Sequence, residues 1–142
     1  MDMETSILLH EIKHCVEAQI RQSFEQQRDP LTLKRWQALK PASLAGRRYP
    51  YKPILEQTGL LRSSARVDIV GQSVRTQVNL PYARVHQLGY PRRNIPQRRY
   101  LPFDDAGKPT PHLHQEIEAL LAPDGLGGQE ILKQVATTLI RR

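Results

Sequence analysis

The sequence predicts an α+β fold, with a long N-terminal helix packed on a small antiparallel β-sheet and two short helices at the C-terminal end. Near both ends, apolar residues recur every three or four positions, which is the period of a helix with one buried face. Between residues 64 and 80 the period changes to two, as in a half-buried strand. Ten of the eleven prolines lie between residues 30 and 111, where they disfavour long helices. A chain of 142 residues has the size of one domain, so we expect a single domain over residues 1–142.

The first helix is expected over about residues 3–27. Asp29-Pro30 ends it, because the residue before a proline is displaced from the helical region. At 1.5 Å per residue the helix would be about 37 Å long, so it should pack along a sheet or against a neighbouring subunit. Its apolar stripe consists of Leu8, Ile12, Cys15 with Val16, Ile20 and Phe24.

The middle of the chain predicts a β-hairpin. Residues 65–69 and 74–80 alternate apolar with polar side chains, and Gly71-Gln72 between them suits a tight turn. The prolines on either side of the next apolar run make it an edge strand. After the hairpin we therefore expect a short helical turn over residues 82–88, a loop over residues 89–96 and an edge strand over residues 98–103.

Helical spacing returns in the last part of the chain. Two apolar stripes are separated by the turn-forming residues Pro123-Asp124-Gly125 and Gly127-Gly128, so they predict two short helices rather than one. The first stripe is Leu113, Ile117, Leu120 and Leu121, and the second is Ile131, Leu132, Val135, Leu139 and Ile140.

The charge is distributed unevenly along the chain. There are 21 Lys and Arg against 14 Asp and Glu, which gives a net charge of +7. Residues 1–29 carry three basic and six acidic side chains (net −3), residues 30–103 carry fourteen and two (net +12), and residues 104–142 carry four and six (net −2). The basic centre would attract phosphates or an acidic protein surface.

Six arginines of the basic centre are the expected contacts with a partner or with DNA: Arg47, Arg48, Arg92, Arg93, Arg98 and Arg99. The last four flank residues 94–97 on a loop that we expect to be exposed, where close like charges repel one another and favour an external anion. Three interpretations stay open. The arginines could simply keep the surface soluble, contact an acidic protein, or contact nucleic acid without sequence preference, since no recognition motif is present.

Residue types that could carry chemistry are present, but they form no recognisable constellation. Two histidine pairs lack an evident third metal ligand, and the lone cysteine lies on the apolar stripe of the first helix. These residues are His10 with His14, His112 with His114, and Cys15. The stretch 125–128 follows a helix rather than a strand, which favours a plain turn over a phosphate-binding loop. Asp104-Asp105 suits a cap on the turn at Gly107. We therefore expect no catalytic residue, no metal and no cofactor.

Five short motifs occur in an order that is similar to that of a known family. Over about residues 20–103 they resemble the phage virion morphogenesis (tail completion) family of Mu-like and related contractile-tailed phages. The sequence differs from the usual family pattern at residues 97–100 and 47–50. The motifs are Phe24-Glu25-x-Gln27-x-Asp29-Pro30, Trp36-x-x-Leu39-x-Pro41, Leu55-x-x-Thr58-Gly59-x-Leu61-Arg62-x-Ser64, Pro81-Tyr82-Ala83-x-x-His86-Gln87-x-Gly89 and Ile95-Pro96-x-Arg98-x-x-Leu101.

Eight residues of these motifs are expected to define the fold rather than to take part in catalysis. Gly59 allows a tight turn before the hairpin. Tyr82 and His86 are one helical turn apart, so they can pack together and carry hydrogen bonds into a buried corner. The eight residues are Trp36, Thr58, Gly59, Tyr82, His86, Gln87, Gly89 and Pro96.

The resemblance implies a non-enzymatic structural protein of the head–tail junction. Such a tail completion or tail terminator protein would form a ring, expected to be hexameric, that caps the tail tube and allows the head to join. Its partners would be tail tube or sheath proteins and head–tail connector proteins, with non-specific contact to packaged DNA. We expect it in the virion tail or neck, and in the host cytoplasm during assembly, because no signal peptide or membrane segment is evident. The alternative is a small basic protein that binds nucleic acid without sequence preference.

Overall fold

The computed structural model describes residues 3–41, 46, 54–55 and 59–121, together with the backbone of residues 137–140. The elements confirm the predicted α+β class. In chain order they are α1 (Met3–Gln26), α2 (Leu60–Ser64), β1 (Ala65–Val70), β2 (Ser73–Val78), α3 (Ala83–Leu88), a 3-10 helix (Pro91–Arg93), α4 (Pro111–Leu121) and β3 (Thr137–Ile140).

Helix α1 spans almost the predicted residues and buries one face. It ends at Gln26, and the next residue, Gln27, has a left-handed φ of 52° and a side-chain amide that donates a hydrogen bond to the Phe24 carbonyl at 2.8 Å. The buried face packs against β1, β2 and α4, so the long helix lies along the sheet of its own chain. Its buried apolar residues are Leu9, Ile12, Val16, Ile20 and Phe24.

The predicted hairpin is confirmed, including its turn. β1 and β2 pair antiparallel from Ala65 opposite Val78 to Val70 opposite Ser73. Only Gly71 and Gln72 lie between the strands, and Gly71 has a φ of 62°, which a residue without a Cβ adopts at little cost. One face of the hairpin is buried, as the two-residue period predicts.

The second helix predicted near the C-terminus is wrong for its last residues, because Thr137–Ile140 form a strand. β3 pairs parallel with β2, from Arg75 opposite Thr137 to Val78 opposite Ile140, and gives a mixed sheet of order β1-β2-β3. Two adjacent threonines favour an extended backbone, and the open edge of β2 offers hydrogen-bond partners that a helical spacing cannot reveal. The rest of that predicted helix and the turn at residues 125–128 lie outside the described residues.

The edge strand predicted over residues 98–103 is also wrong. In this segment only Phe103 makes a bridge, to Pro109, although the side chains of Tyr100, Leu101 and Phe103 are fully buried in the core. The backbone of the segment is instead held by the side chain of Gln87, which occupies the place of a neighbouring strand. The segment therefore anchors the loop that precedes it to the core.

Candidate partner-binding surface

The loop that leads out of α3 is shaped by its backbone. Gly89 has a φ of 76°, and a Cβ at this position would lie 3.1 Å from both the Cβ and the backbone nitrogen of Gln97, so the close approach requires glycine. Tyr90 and Ile95 then exchange two backbone hydrogen bonds, of 2.9 and 3.1 Å. These bonds close a short loop, and the 3-10 helix Pro91–Arg93 lies at its tip.

Arg92 and Arg93 are exposed at this tip, as the sequence predicts. Within the described part of the chain neither side chain has an ion-pair partner. Because the backbone beneath them is fixed by the Tyr90–Ile95 pair, the two guanidinium groups are carried on a well-defined support. They are available to an anionic surface outside the chain.

Arg98 and Arg99 are buried, so the expectation that they lie on an exposed loop is wrong. Their side chains point back into the protein, with exposed fractions of 7% and 4%. Arg99 has its anions within the chain: Nη1 donates to Asp29 Oδ2 at 2.7 Å and Nη2 donates to Asp105 Oδ1 at 2.5 Å. Two carboxylates on one guanidinium compensate for its burial, which one charge alone would make costly.

This arrangement, which we call the Arg99 clamp (Asp29, Arg99 and Asp105), joins three separate segments. Asp29 is fixed by the backbone N–H of Leu31, which donates to its Oδ1 at 2.7 Å, and Gln97 Nε2 donates to Asp105 Oδ1 at 2.8 Å. The hydrogen bond from Arg99 is the main cause that lowers the pKa of Asp105. Burial lowers the pKa of Arg99, but its bonds to the two carboxylates outweigh burial and raise it overall. Arg99 and Asp105 are therefore both charged at neutral pH.

Arg98 differs from its neighbour because it has no carboxylate partner among the described residues. Its Nε donates to the backbone carbonyl of Gln37 at 3.0 Å, and burial lowers its pKa. His86 is close to it, and the Nδ1 atom of His86 is buried with no hydrogen-bond partner in the described structure. Burial, and then the charge of Arg98, lower the pKa of His86, so the imidazole is neutral at neutral pH. A cation and an unsatisfied ring nitrogen thus lie side by side.

Gln87 is buried and uses both ends of its amide. Its Oε1 accepts hydrogen bonds from the backbone N–H groups of Tyr100 and Leu101, each at 3.0 Å. Its Nε2 donates to the carbonyls of Leu101 and Phe103, each at 3.3 Å. One side chain therefore satisfies four backbone groups that a strand would otherwise have to pair.

Trp36 and His86 contact the residues that directly precede the segment held by Gln87. Trp36 is buried, its Nε1 donates to the Arg99 carbonyl at 2.8 Å, and its ring meets Phe24 edge-on at 5.7 Å between centroids. The rings of Tyr82 and His86 pack edge-on at 5.9 Å, as their spacing predicts. The hydrogen bond into the interior comes from the His86 backbone, whose carbonyl accepts from the Arg98 N–H at 2.9 Å.

The other motif residues have simpler settings. Gly59 has a φ of 73° directly before α2, which agrees with a tight turn at this position. Pro96 is half-buried in the loop. Three residues singled out in the sequence lie outside the described residues: Thr58, Arg47 and Arg48.

The two histidine pairs and the cysteine lie on α1 and α4, outside the arginine loop (residues 89–99). Over the described ranges, no group of three or more His, Cys, Asp or Glu could hold a metal ion. Burial, followed by the nearby Glu116, raises the pKa of Cys15, which keeps this thiol protonated at neutral pH. Asp104 accepts from the N–H groups of Ala106 and Lys108, as expected for a turn cap. The histidine partners are Ser6 for His10, Glu17 for His14, Glu116 for His112 and Glu118 for His114.

Sequence reasoning missed the acidic half of the Arg99 clamp. Asp29 was assigned only to the end of α1 and Asp105 only to a turn, although these carboxylates flank the basic centre on either side. That flanking position is the one signal from which the pairing could have been suspected. Residues 37–40 line the same pocket as Arg98. Nothing in the sequence of this segment predicts that position, and only Leu39 belongs to one of the family motifs.

The comparison with protein families decides the affiliation of the chain. The model of the phage virion morphogenesis family matches residues 2–122, which is most of the sequence and includes the whole arginine loop. The chain belongs to the phage virion morphogenesis family. No curated protein and no solved structure gives a significant match. Membership of this family indicates a structural or assembly role in the phage particle. Among the described helices none is long and apolar enough to cross a bilayer.

Proposed function

We propose that this member of the phage virion morphogenesis family is a tail completion or tail terminator protein, which acts at the head–tail junction and catalyses no reaction. The observation that carries the proposal is the family match over residues 2–122. The exposed pair Arg92 and Arg93, held on a loop with fixed backbone pairing, supports it as a contact surface. Rigid presentation suits an assembly protein, because less conformational freedom is lost when the partner binds.

In this proposal six copies form a ring that caps the tail tube. A ring requires contacts between two different surfaces of each copy, related by a rotation that closes. The chain offers such surfaces in its charge distribution, because residues 30–103 carry a net charge of +12 while residues 1–29 and 104–142 carry −3 and −2. Attraction between the basic centre of one copy and the acidic ends of the next would favour the head-to-tail arrangement.

The arginine tip would then face outward along the axis, toward a tail tube, sheath or head–tail connector protein. Two adjacent guanidinium groups suit carboxylates, which they can bind with paired hydrogen bonds. If the tip instead lines the lumen, its contacts with the passing DNA would be screened by salt and independent of sequence. Both arrangements depend on Arg92 and Arg93.

The double substitution Arg92→Glu/Arg93→Glu tests the role of the tip. We expect filled heads and finished tails to accumulate separately in infected cells, and the yield of infectious particles to fall at least about tenfold, since each charge reversal replaces attraction with repulsion. The measurement is the fraction of joined particles in electron micrographs of lysates, with infectious titre beside it.

The matched control is Arg21→Glu/Lys108→Glu, which changes the net charge by the same amount at exposed positions outside the basic centre of residues 30–103. Its joining should equal that of the wild type. Normal joining in the tip variant would exclude Arg92 and Arg93 from the assembly contact. Circular dichroism and thermal unfolding of both purified variants show whether the fold is retained.

The alternative, a nucleic-acid-binding protein that works outside a particle, has weaker support from the described surface. Of the four arginines around residues 94–97, two are buried, and the two acids of the clamp neutralise one of these. That leaves fewer cations for phosphates than the sequence predicts. A DNA affinity that falls steeply with salt, together with normal joining in the tip variant, would favour this alternative.

A further inference from the structure

A groove lies between the segment after Trp36 and the arginine loop. It has a volume of about 420 Å³. It is lined by residues 37–40 and 93–96, together with His86 and Arg98. A groove of this size accommodates a few amino-acid side chains.

The lining of the groove is cationic and apolar. Arg98, Arg93 and Lys40 contribute positive charge, and no Asp or Glu lines the groove within the described part of the chain. Ala38, Leu39, Ile95 and Pro96 contribute apolar surface between these cations. The combination is typical of a site that takes an anionic group with an apolar group next to it.

Arg98 is a buried cation that has no carboxylate partner among the described residues. It is only 7% exposed, and the one hydrogen bond of its side chain in the described structure goes from Nε to the Gln37 carbonyl at 3.0 Å. The adjacent Arg99 is also buried, but its guanidinium binds two carboxylates. Beside Arg98, the buried Nδ1 of His86 also lacks a hydrogen-bond partner in the described residues. A buried guanidinium without a carboxylate, next to an unpaired buried ring nitrogen, favours an anionic ligand in this groove.

We propose that this groove binds an acidic segment of a partner protein, with a carboxylate on the Arg98 guanidinium and a neighbouring apolar side chain on Leu39, Ile95 and Pro96. A carboxylate is planar and matches the paired donors of a guanidinium. Arg93 and Lys40 at the exposed rim would attract the segment and add further ion pairs. The inference rests on the proposed function only in placing the partner protein in the phage particle. Binding of an acidic segment to the groove can be measured on the isolated chain.

A peptide fits this groove better than a nucleic acid does. A DNA backbone places sugars and successive phosphates along a charged path, and it gains little from apolar walls. The groove instead combines the cations Lys40 and Arg93 with the apolar residues Leu39 and Ile95, which suits a segment that carries both acidic and apolar residues.

The test uses the purified full chain and two fluorescent peptides. The probe is acetyl-Leu-Glu-Leu-Asp-Leu-Glu amide, and its twin carries Gln and Asn in place of the acids. We expect the acidic peptide to bind about tenfold more tightly than the twin. It should also shift the NMR signals of the Arg98 Nε–H and the His86 ring. Equal affinity for both peptides, or unchanged signals at Arg98 and His86, would overturn the proposal.

Variants assign the binding to the groove. Lys40→Gln/Arg93→Gln changes only exposed rim residues, and it should weaken the acidic peptide several-fold while the exposed Arg84→Gln leaves its affinity unchanged. Arg98→Lys keeps the charge but removes the paired donors, and it should weaken binding further. If the rim variant binds as the wild type does, the groove is not the site.

Competition with two other anions shows whether the groove prefers a peptide carboxylate to a phosphate. Neither inorganic phosphate nor a short DNA duplex should displace the acidic peptide at moderate salt, because neither uses the apolar walls. Displacement by either one would contradict a peptide groove. Binding of the peptide together with normal head–tail joining in the tip variant would sustain the groove and reject the proposed function of the tip. Failure of the peptide to bind, together with failed joining in the tip variant, would reject the groove and sustain the proposed function of the tip.

Discussion

At the scale of single residues, the amide of Gln87 determines where the segment after the arginine loop lies. It satisfies two N–H groups and two carbonyls of residues 100–103, all of them buried. The sequence motif that contains Gln87 does not reveal this role, because the four partners lie 13 to 16 residues further along the chain. A local pattern identifies residues that are close in sequence, and this contact depends on how the chain folds back.

Replacing Gln87 with methionine should lower the free energy of unfolding by roughly 3 kcal/mol. The side chain keeps a similar volume, but the buried N–H groups of Tyr100 and Leu101 lose their acceptor, and each unsatisfied group costs about 1–3 kcal/mol. Gln87→Glu keeps an acceptor oxygen, and in acid the protonated carboxyl also has one O–H donor. The loss in the free energy of unfolding should therefore be smaller in acid than at neutral pH, where the buried carboxylate is ionised. Urea unfolding measures both variants.

The control is Gln115→Met, on the exposed face of α4, which should change the stability by less than about 0.5 kcal/mol. A Gln87→Met variant as stable as this control would show that the four hydrogen bonds are not needed to hold residues 100–103.

At the scale of elements, the parts with a strong local period are those that the sequence predicts well. Helix α1, the hairpin with its Gly71-Gln72 turn, α3 and α4 all form close to the predicted residues. Strand β3 and the segment 98–103 were predicted wrongly, because their state depends on the open edge of β2 and on Gln87. The Arg99 clamp was missed for the same reason, since Asp29 and Arg99 are 70 positions apart.

The clamp should make stability depend on pH in acid. The folded pKa of Asp105 is lowered from 3.8, chiefly by its bond to Arg99. Its contribution is therefore fully present above about pH 4 and is lost as the pH falls through the lowered folded value. Asp105 is 64% exposed, so Asp105→Asn should cost less than about 1 kcal/mol at neutral pH.

Urea unfolding at neutral pH and in acid measures this dependence. The difference between the wild type and Asp105→Asn should shrink as the pH falls below about 4, while Glu11→Gln on the exposed face of α1 should leave the pH profile unchanged. A difference that stays constant into strong acid would mean that the Asp105 carboxylate is not bound to Arg99 in solution.

At the scale of the whole molecule, burial divides the basic centre into parts with different roles. Arg99 is neutralised inside the fold, Arg98 lies buried beside a groove, and Arg92 and Arg93 lie at an exposed tip. The sequence shows the amount of charge and its position along the chain. Only the fold shows which cations can meet a partner, and this favours two specific contact surfaces over a uniformly basic one.

We propose above that the protein acts where the head joins the tail, and add-back of the purified protein to a lysate tests this role most directly. Cells infected with phage that lack the protein should contain filled heads and complete tails that are not joined. Adding the purified protein should restore joined, infectious particles, whereas protein with Arg92→Glu/Arg93→Glu should not. Heads and tails that join equally well without the protein would contradict the account.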